Sequence, residues 1–417
     1  MIYIGKNYSK NNLVSIDASK HVNIEGMSGM GKSTLLARLF VEHIRAGGGG
    51  LFIDPHGETA DEIATMIPTD RMWDFIWFDP EAARVPPFNP LFYRDAADLE
   101  RGKESVFTTV KSLAGSAWGD ESARVLWGAL DAVCAQFPNP TPMHLYRFVA
   151  DDKFRESILA KSDDPLLKMF REQYDKLGDP QQMAKFSPII NKLGKFLRPF
   201  LMPVVGQPDS LDFLDVMNAR RIVVCRLSKG RLGEETAQIL GSLIVSMVSI
   251  AALRRENQTD RPPFMVIADE THNFTHGGRF GSLLAESRKY GISLVTALQG
   301  GYQVPFLKDL FSNCPTKITF NVSGVDAQSI ADDWKYRDML DELTPEMITA
   351  LPRYQMYCRT FEHDSPSVSR LISLPPMTKI GNEADRDVLI KHSLMRWGKD
   401  RKTVTKKIMK FLASDPA

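Results

Sequence analysis

The feature that most constrains this chain is a glycine-rich stretch, Gly26-Met27-Ser28-Gly29-Met30-Gly31-Lys32-Ser33-Thr34, set between an apolar run and a helical one. A glycine, four residues, then Gly-Lys-Ser is the spacing of a loop whose successive backbone N–H groups wrap phosphate oxygens, with the lysine neutralising the outer phosphates and the hydroxyl on magnesium. Before it, His21 to Glu25 reads as a short buried strand. After it, Leu35, Leu36, Leu39, Phe40 and Ile44 recur at helical spacing between Lys32 and Arg45. Strand, loop and helix in that order supply the context that a chance match to the spacing lacks. The loop thus commits the chain to an α/β fold and assigns Gly26 to Thr34 to nucleotide binding, with Lys32 on the β and γ phosphates and Ser33 on the metal.

The remaining pattern agrees. Gly47 to Gly50 ends the helix, and Leu51 to Ile53 begins a second strand with Asp54 at its C-terminal end. Further strands are expected at Arg221–Cys225, Phe264–Ala268, Ser293–Ala297 and Lys317–Val322, with a long helix from about Gly233 to Arg255. Residues 1–20 alternate apolar and polar groups as in a short hairpin. Between about Asp95 and Asp215, helical segments are broken by proline turns such as Pro138 to Pro142. The organisation expected is a nucleotide-binding domain in two parts, 1–94 and 216–375, a mostly helical insert over 95–215, and a basic helical tail over 376–417. Alternating strands and helices predict a mainly parallel sheet with helices on both faces and ligand at the C-terminal strand ends.

Five further positions are candidates for chemistry. The strand Phe264–Ala268 runs into Asp269 and Glu270, so that Asp269 can hold magnesium and Glu270 can polarise the attacking water; solvated acids after a buried strand are the competing reading. Asp54 either faces the nucleotide or caps a helix. Arg288 is a candidate arginine finger from a neighbouring subunit, against an ordinary surface ion pair. Gln299, near the end of the next strand, either senses the γ-phosphate or is a surface amide. His272 and His276, four residues apart, lack the glutamate of a zinc motif and are read as structural. The cofactors implied are ATP and Mg2+.

Composition narrows the remainder. A net charge of +1 gives no globally basic surface, so binding to nucleic acid requires a local patch. The four cysteines, Cys134, Cys225, Cys314 and Cys358, lack the paired spacing of zinc sites or disulfide frameworks. The apolar stretch Gly241–Leu253 is interrupted by serines and reads as a core helix, no transmembrane segment is expected, and the N-terminus lacks signal-peptide character; the expected location is cytoplasmic, possibly peripheral to a membrane complex.

Taken in order, the loop, Asp54-Pro55-His56-Gly57, Pro87-Phe88-Asn89-Pro90, Arg221 to Gly230, Leu232 to Glu235, Ala268-Asp269-Glu270, Ala285 to Gly291 and Ala297-Leu298-Gln299 resemble the FtsK/HerA superfamily of P-loop NTPases. Within it the chain looks most like the conjugative coupling proteins of type IV secretion. The resemblance implies a RecA-like fold and a hexameric ring with ATP sites between subunits. It further implies Glu270 as activator of water, Arg288 acting from the neighbour, and DNA gripped without sequence preference in a central pore. The insert resembles the all-α domain of coupling proteins and implies a protein partner there. Membrane-anchored coupling proteins begin with transmembrane helices and HerA-type proteins with a β-barrel, and neither is visible in the first 20 or so residues. The function expected is an ATP-driven DNA translocase; the alternatives are a HerA-like partner of a nuclease or defence effector, and an ATP-gated assembly platform that moves no DNA.

Overall fold

The apolar runs pair into one large sheet in a computed structural model of the chain, which describes residues 1–415 apart from 115–117, 178, 276–278, 302, 303, 305, 339–342, 363 and 364. The strands are β1 (Ile2–Asn7), β2 (Leu13–Ile16), β3 (Val22–Glu25), β4 (Gly49–Asp54), β5 (Phe75–Phe78), β6 (Arg84–Val85), β7 (Ile222–Arg226), β8 (Phe264–Ala268), β9 (Ile292–Leu298), β10 (Thr316–Thr319), β11 (Gln355–Glu362), β12 (Ser365–Ser373) and β13 (Lys399–Asp400). Eleven of them lie in the order β2-β1-β12-β11-β10-β3-β9-β8-β4-β7-β5, while β6 and β13 form a separate ribbon. From β10 to β5 every neighbouring pair is parallel. The other end, β11, β12, β1 and β2, is antiparallel.

Strand side chains alternate between faces, and the parallel strands are apolar on both. Leu51, Ile53, Ile76, Phe78, Val223 and Cys225 point into one core. Phe52, Phe75, Trp77, Ile222 and Val224 point into the other. The second face is covered by the helices α1 (Lys32–Arg45) and α2 (Glu58–Ala64). Packing there is close at Gly50, where an added Cβ would lie 2.6 Å from the Phe40 ring and 2.9 Å from the Met265 carbonyl oxygen. Gly49 and Gly50, expected in the turn after α1, belong to β4 instead: the approach of α1 excludes a side chain at Gly50, and the Arg220 backbone, 2.7 Å from an added Cβ, excludes one at Gly49.

The first face carries the helix Glu234–Leu253, which is long and apolar enough to cross a membrane by length and composition, but 89% of its most apolar window is buried inside the protein. It is a core helix. The described elements from Ala96 to Asn218 are all helical, and their Val106, Leu130 and Phe148 share one continuous core with that face of the sheet.

The C-terminal segment is more than a solvated basic tail. The helix Glu383–Trp397 buries Leu389 against the second face, and Ser393 Oγ accepts the Trp77 N–H at 2.8 Å, occupying a donor on edge strand β5. The chain then crosses to the first face, where the helix Arg401–Ala413 buries Val404 and Ile408. Arg147 of the insert donates to the Phe411 carbonyl at 2.7 Å. Lys402, Lys406, Lys407 and Lys410 remain exposed.

Candidate active site

Because β3, β4, β7, β8 and β9 run parallel, they all end at one edge, and the segments after them meet there. Those after β3, β4, β8 and β9 border a cleft of about 500 Å³ lined by Lys32, Ser33, His56, Asp269, Glu270 and Gln299, together with Ser28, Gly29, Gly31 and Thr34 of the loop. Gly31 holds φ at 113°, a left-handed value that a side chain would oppose, and it hands the chain directly into α1. Gly26, Met27 and Met30 do not line the cleft. Their backbones anchor the loop instead: the Gly26 N–H donates to Leu298 O at 3.1 Å, the Met27 N–H to Asn321 O at 2.8 Å, and Met30 O accepts the Tyr354 N–H at 3.2 Å.

Lys32 is buried, and its ammonium donates to the carbonyls of Gly26 and, at 3.0 Å, Met27. Burial lowers its pKa, while the charges of Asp269 and Glu270 raise it. Ser33 Oγ donates to Asp269 Oδ2 at 3.4 Å, so hydroxyl and carboxylate, both hard oxygen ligands, face the same point. That donor set suits Mg2+. Burial, reinforced by the charge of Asp54, pushes the Asp269 carboxyl up to about 6, against the Glu270 backbone N–H that donates to it at 2.8 Å and the charge of Lys32.

Glu270 holds φ at 45°, an uncommon left-handed conformation for a residue with a side chain. Its Oε1 accepts from His56 Nε2 at 3.1 Å and from Gln299 Nε2 at 2.8 Å. Its Oε2 accepts from Lys229 Nζ at 2.7 Å and from Asn273 Nδ2 at 3.1 Å. Burial alone would raise its pKa, but the hydrogen bond and charge of Lys229, with His56, hold it at about 2.

One expectation about a side chain changes. Asp54 is wholly buried, and its oxygens accept the backbone N–H groups of His56 and Ala60, each at 2.8 Å. It positions the turn into α2 and does not line the cleft, because the turn after β4 presents two inward N–H groups that its carboxylate satisfies. Arg288 is exposed on the turn Ser287–Tyr290 before β9, at the opposite edge of the sheet from the loop. A seven-residue strand places it roughly 20 Å from its own cleft. Its neighbour there is His21, before β3, whose pKa falls to about 4 through burial and then the Arg288 charge. His272 is half-buried on the turn Thr271–Phe274, and His276 lies outside the described residues.

Sequence reasoning missed His56 and Lys229 as partners of Glu270, and it missed a second recess beside the loop. This slot, about 340 Å³, shares Gly31, Thr34 and Tyr354 with the cleft and extends between Leu35, Arg38 and Pro375. Tyr354 holds φ at 64° on the turn before β11, against Gly31, where an added Cβ would lie 3.2 Å from its ring. The slot unites α1 with a segment more than 300 residues later, and no local spacing could announce it.

Known proteins place the geometry in context. The sequence model of the helicase HerA central domain matches residues 2–63. No curated protein matches the chain. Among solved structures, the bacterial conjugative coupling protein TrwBdeltaN70 is similar with a TM-score of 0.65 at 14% identity, over 90% of this chain and 89% of that one. The plasmid coupling protein TrwB in complex with ADP and Mg2+ gives a TM-score of 0.63 at 14% identity, over 91% and 92%. VirB4 of Thermoanaerobacter pseudethanolicus gives 0.64 at 16%, over 90% and 96%. In fold the chain therefore resembles the coupling protein TrwB and VirB4, and over residues 2–63 its sequence resembles the HerA central domain of the P-loop ATPases.

Proposed function

We propose that the chain is an ATP-driven motor that hydrolyses ATP at this cleft and moves DNA through a ring of its own copies. The observation that carries the reading is the convergence of Lys32, Ser33, Asp269, Glu270 and Gln299 on one cleft at the C-terminal strand edge. The loop amides and Lys32 hold the phosphates, and the adjoining slot with Tyr354 takes the nucleobase. Ser33 and Asp269 would hold Mg2+, which would supply charge neutralisation at the phosphates. Glu270 accepts a proton from water as the water oxygen bonds to the γ-phosphorus and the bond to the β-γ bridging oxygen breaks, releasing ADP.

Ring formation and DNA translocation rest on the family resemblance and on Arg288. An arginine roughly 20 Å from its own cleft cannot complete that site, whereas at a subunit boundary it can reach the neighbour's γ-phosphate and stabilise the charge that develops there. The test is steady-state ATP hydrolysis by the purified chain, with and without double- and single-stranded DNA, beside Lys32→Ala and Glu270→Gln. Turnover stimulated by DNA and lost in both variants is the expected result. Turnover indifferent to DNA refutes translocation and favours an assembly platform.

A further inference from the structure

We propose that Lys229 is a positioning residue that latches the Glu270 carboxylate out of use, so that hydrolysis waits on withdrawal of its ammonium. The inference rests on the reading of Glu270 as activator of water. An ionised carboxylate offers about four acceptor positions. At Glu270 four donors, from His56, Gln299, Lys229 and Asn273, already converge on the two oxygens at 2.7 to 3.1 Å. A water molecule that is to give up its proton must displace one of them. Lys229 is the shortest contact, and a salt-bridged hydrogen bond is among the stronger ones.

The latch has a mechanical setting. The Lys229 backbone N–H donates to Pro55 O at 2.9 Å, and the Leu227 N–H to Asp54 O at 2.8 Å, so the segment after β7 is stitched to the turn that carries His56. Lys229 and His56, two of the four donors to Glu270, therefore sit on one joined unit. That unit continues through Gly233, at φ 82°, into the helix Glu234–Leu253. At the start of this helix Glu235 pairs with Arg198 of the insert at 2.8 Å and with Lys195. A displacement of the insert relative to the sheet would pull on Lys229 without touching the phosphate loop.

The experiment compares ATP hydrolysis without DNA for the full chain, Lys229→Met, Lys229→Gln, Lys229→Arg and Glu270→Gln. Removing the ammonium at similar volume should raise kcat on the order of tenfold, the worth of a charged hydrogen bond, with KM nearly unchanged. Lys229→Arg should turn over more slowly than the methionine variant because it restores a cationic donor. A methionine variant whose kcat equals or falls below that of the unaltered chain, or whose change lies in KM alone, overturns the latch while leaving ATP hydrolysis standing. Should circular dichroism show that this variant is unfolded, Lys229→Gln decides: no rise in kcat for the folded glutamine variant overturns the proposal. If no protein hydrolyses ATP although each binds it, the function proposed above fails and the latch falls with it.

Discussion

Glu25 is the residue immediately before the phosphate loop, and replacing it with glutamine should stabilise the protein in a pH-dependent way. The residue is 2% exposed, and its Oε1 accepts from Asn23 Nδ2 at 2.8 Å. Asn23 in turn accepts from the Thr296 hydroxyl at 2.8 Å. Burial is the main force raising the Glu25 pKa from 4.5 to about 7; Asp326 and Asp333 add to it, while the Asn23 hydrogen bond and the charge of Lys317 oppose it. Below pH 4.5 the carboxyl is protonated in folded and unfolded chains alike, and it costs nothing. Between 4.5 and 7 the unfolded chain releases the proton first, so stability falls as pH rises. Above 7 the whole penalty is present, about 3 kcal/mol for a gap of that size. Glutamine keeps an oxygen for Asn23 and cannot ionise. In urea denaturation Glu25→Gln should match the unaltered chain near pH 4.5 and exceed its unfolding free energy by about 3 kcal/mol at pH 8. Equal stability at both pH values, or a loss at pH 8, would refute the argument that a buried charge strains the base of the loop.

Two further outcomes are expected. Arg288→Ala should leave the assembly and its ATP affinity intact but lower turnover on the order of a thousandfold, the worth of an arginine finger; doping Arg288→Ala subunits into an assembly of Glu270→Gln subunits should restore some hydrolysis if the two residues serve one site from different chains. Tyr354→Ala should raise the KM for ATP roughly tenfold, the worth of one stacked base, with little change in kcat, and an unchanged KM would remove the slot as the seat of the base.

Much of the fold was legible because its periodicities are strong. The strand–loop–helix around Gly26–Ser33 and the uninterrupted apolar strand Phe264–Ala268 stand where their spacing put them. Strand β5 was missed because Phe75 to Phe78 is four apolar residues with no alternation to separate strand from helix. The hairpin of β11 and β12 was missed because its alternation includes Arg359, Ser367, Ser369 and Arg370, which read as surface loop until they pair across the sheet. Asp269, Glu270 and Gln299 were singled out by their positions at strand ends, and all three line the cleft. Asp54 satisfied the same rule and serves the backbone instead, since a strand-end carboxylate does whatever the adjoining turn leaves undone.

By itself the sequence determined which segments could bind phosphate, because a glycine loop entering a helix creates its anion site from backbone groups only a few residues apart. Tertiary structure alone decided what surrounds Glu270. His56, Lys229, Asn273 and Gln299 come from four separate segments, brought together by the strand order β9-β8-β4-β7 rather than by any spacing along the chain. The same holds for the slot beside the loop, where Tyr354 and Pro375 reach Arg38 and Thr34 because the antiparallel end of the sheet folds back beside the loop. Contacts between residues distant in sequence are fixed by the packing of the sheet as a whole, and a local pattern carries no record of them.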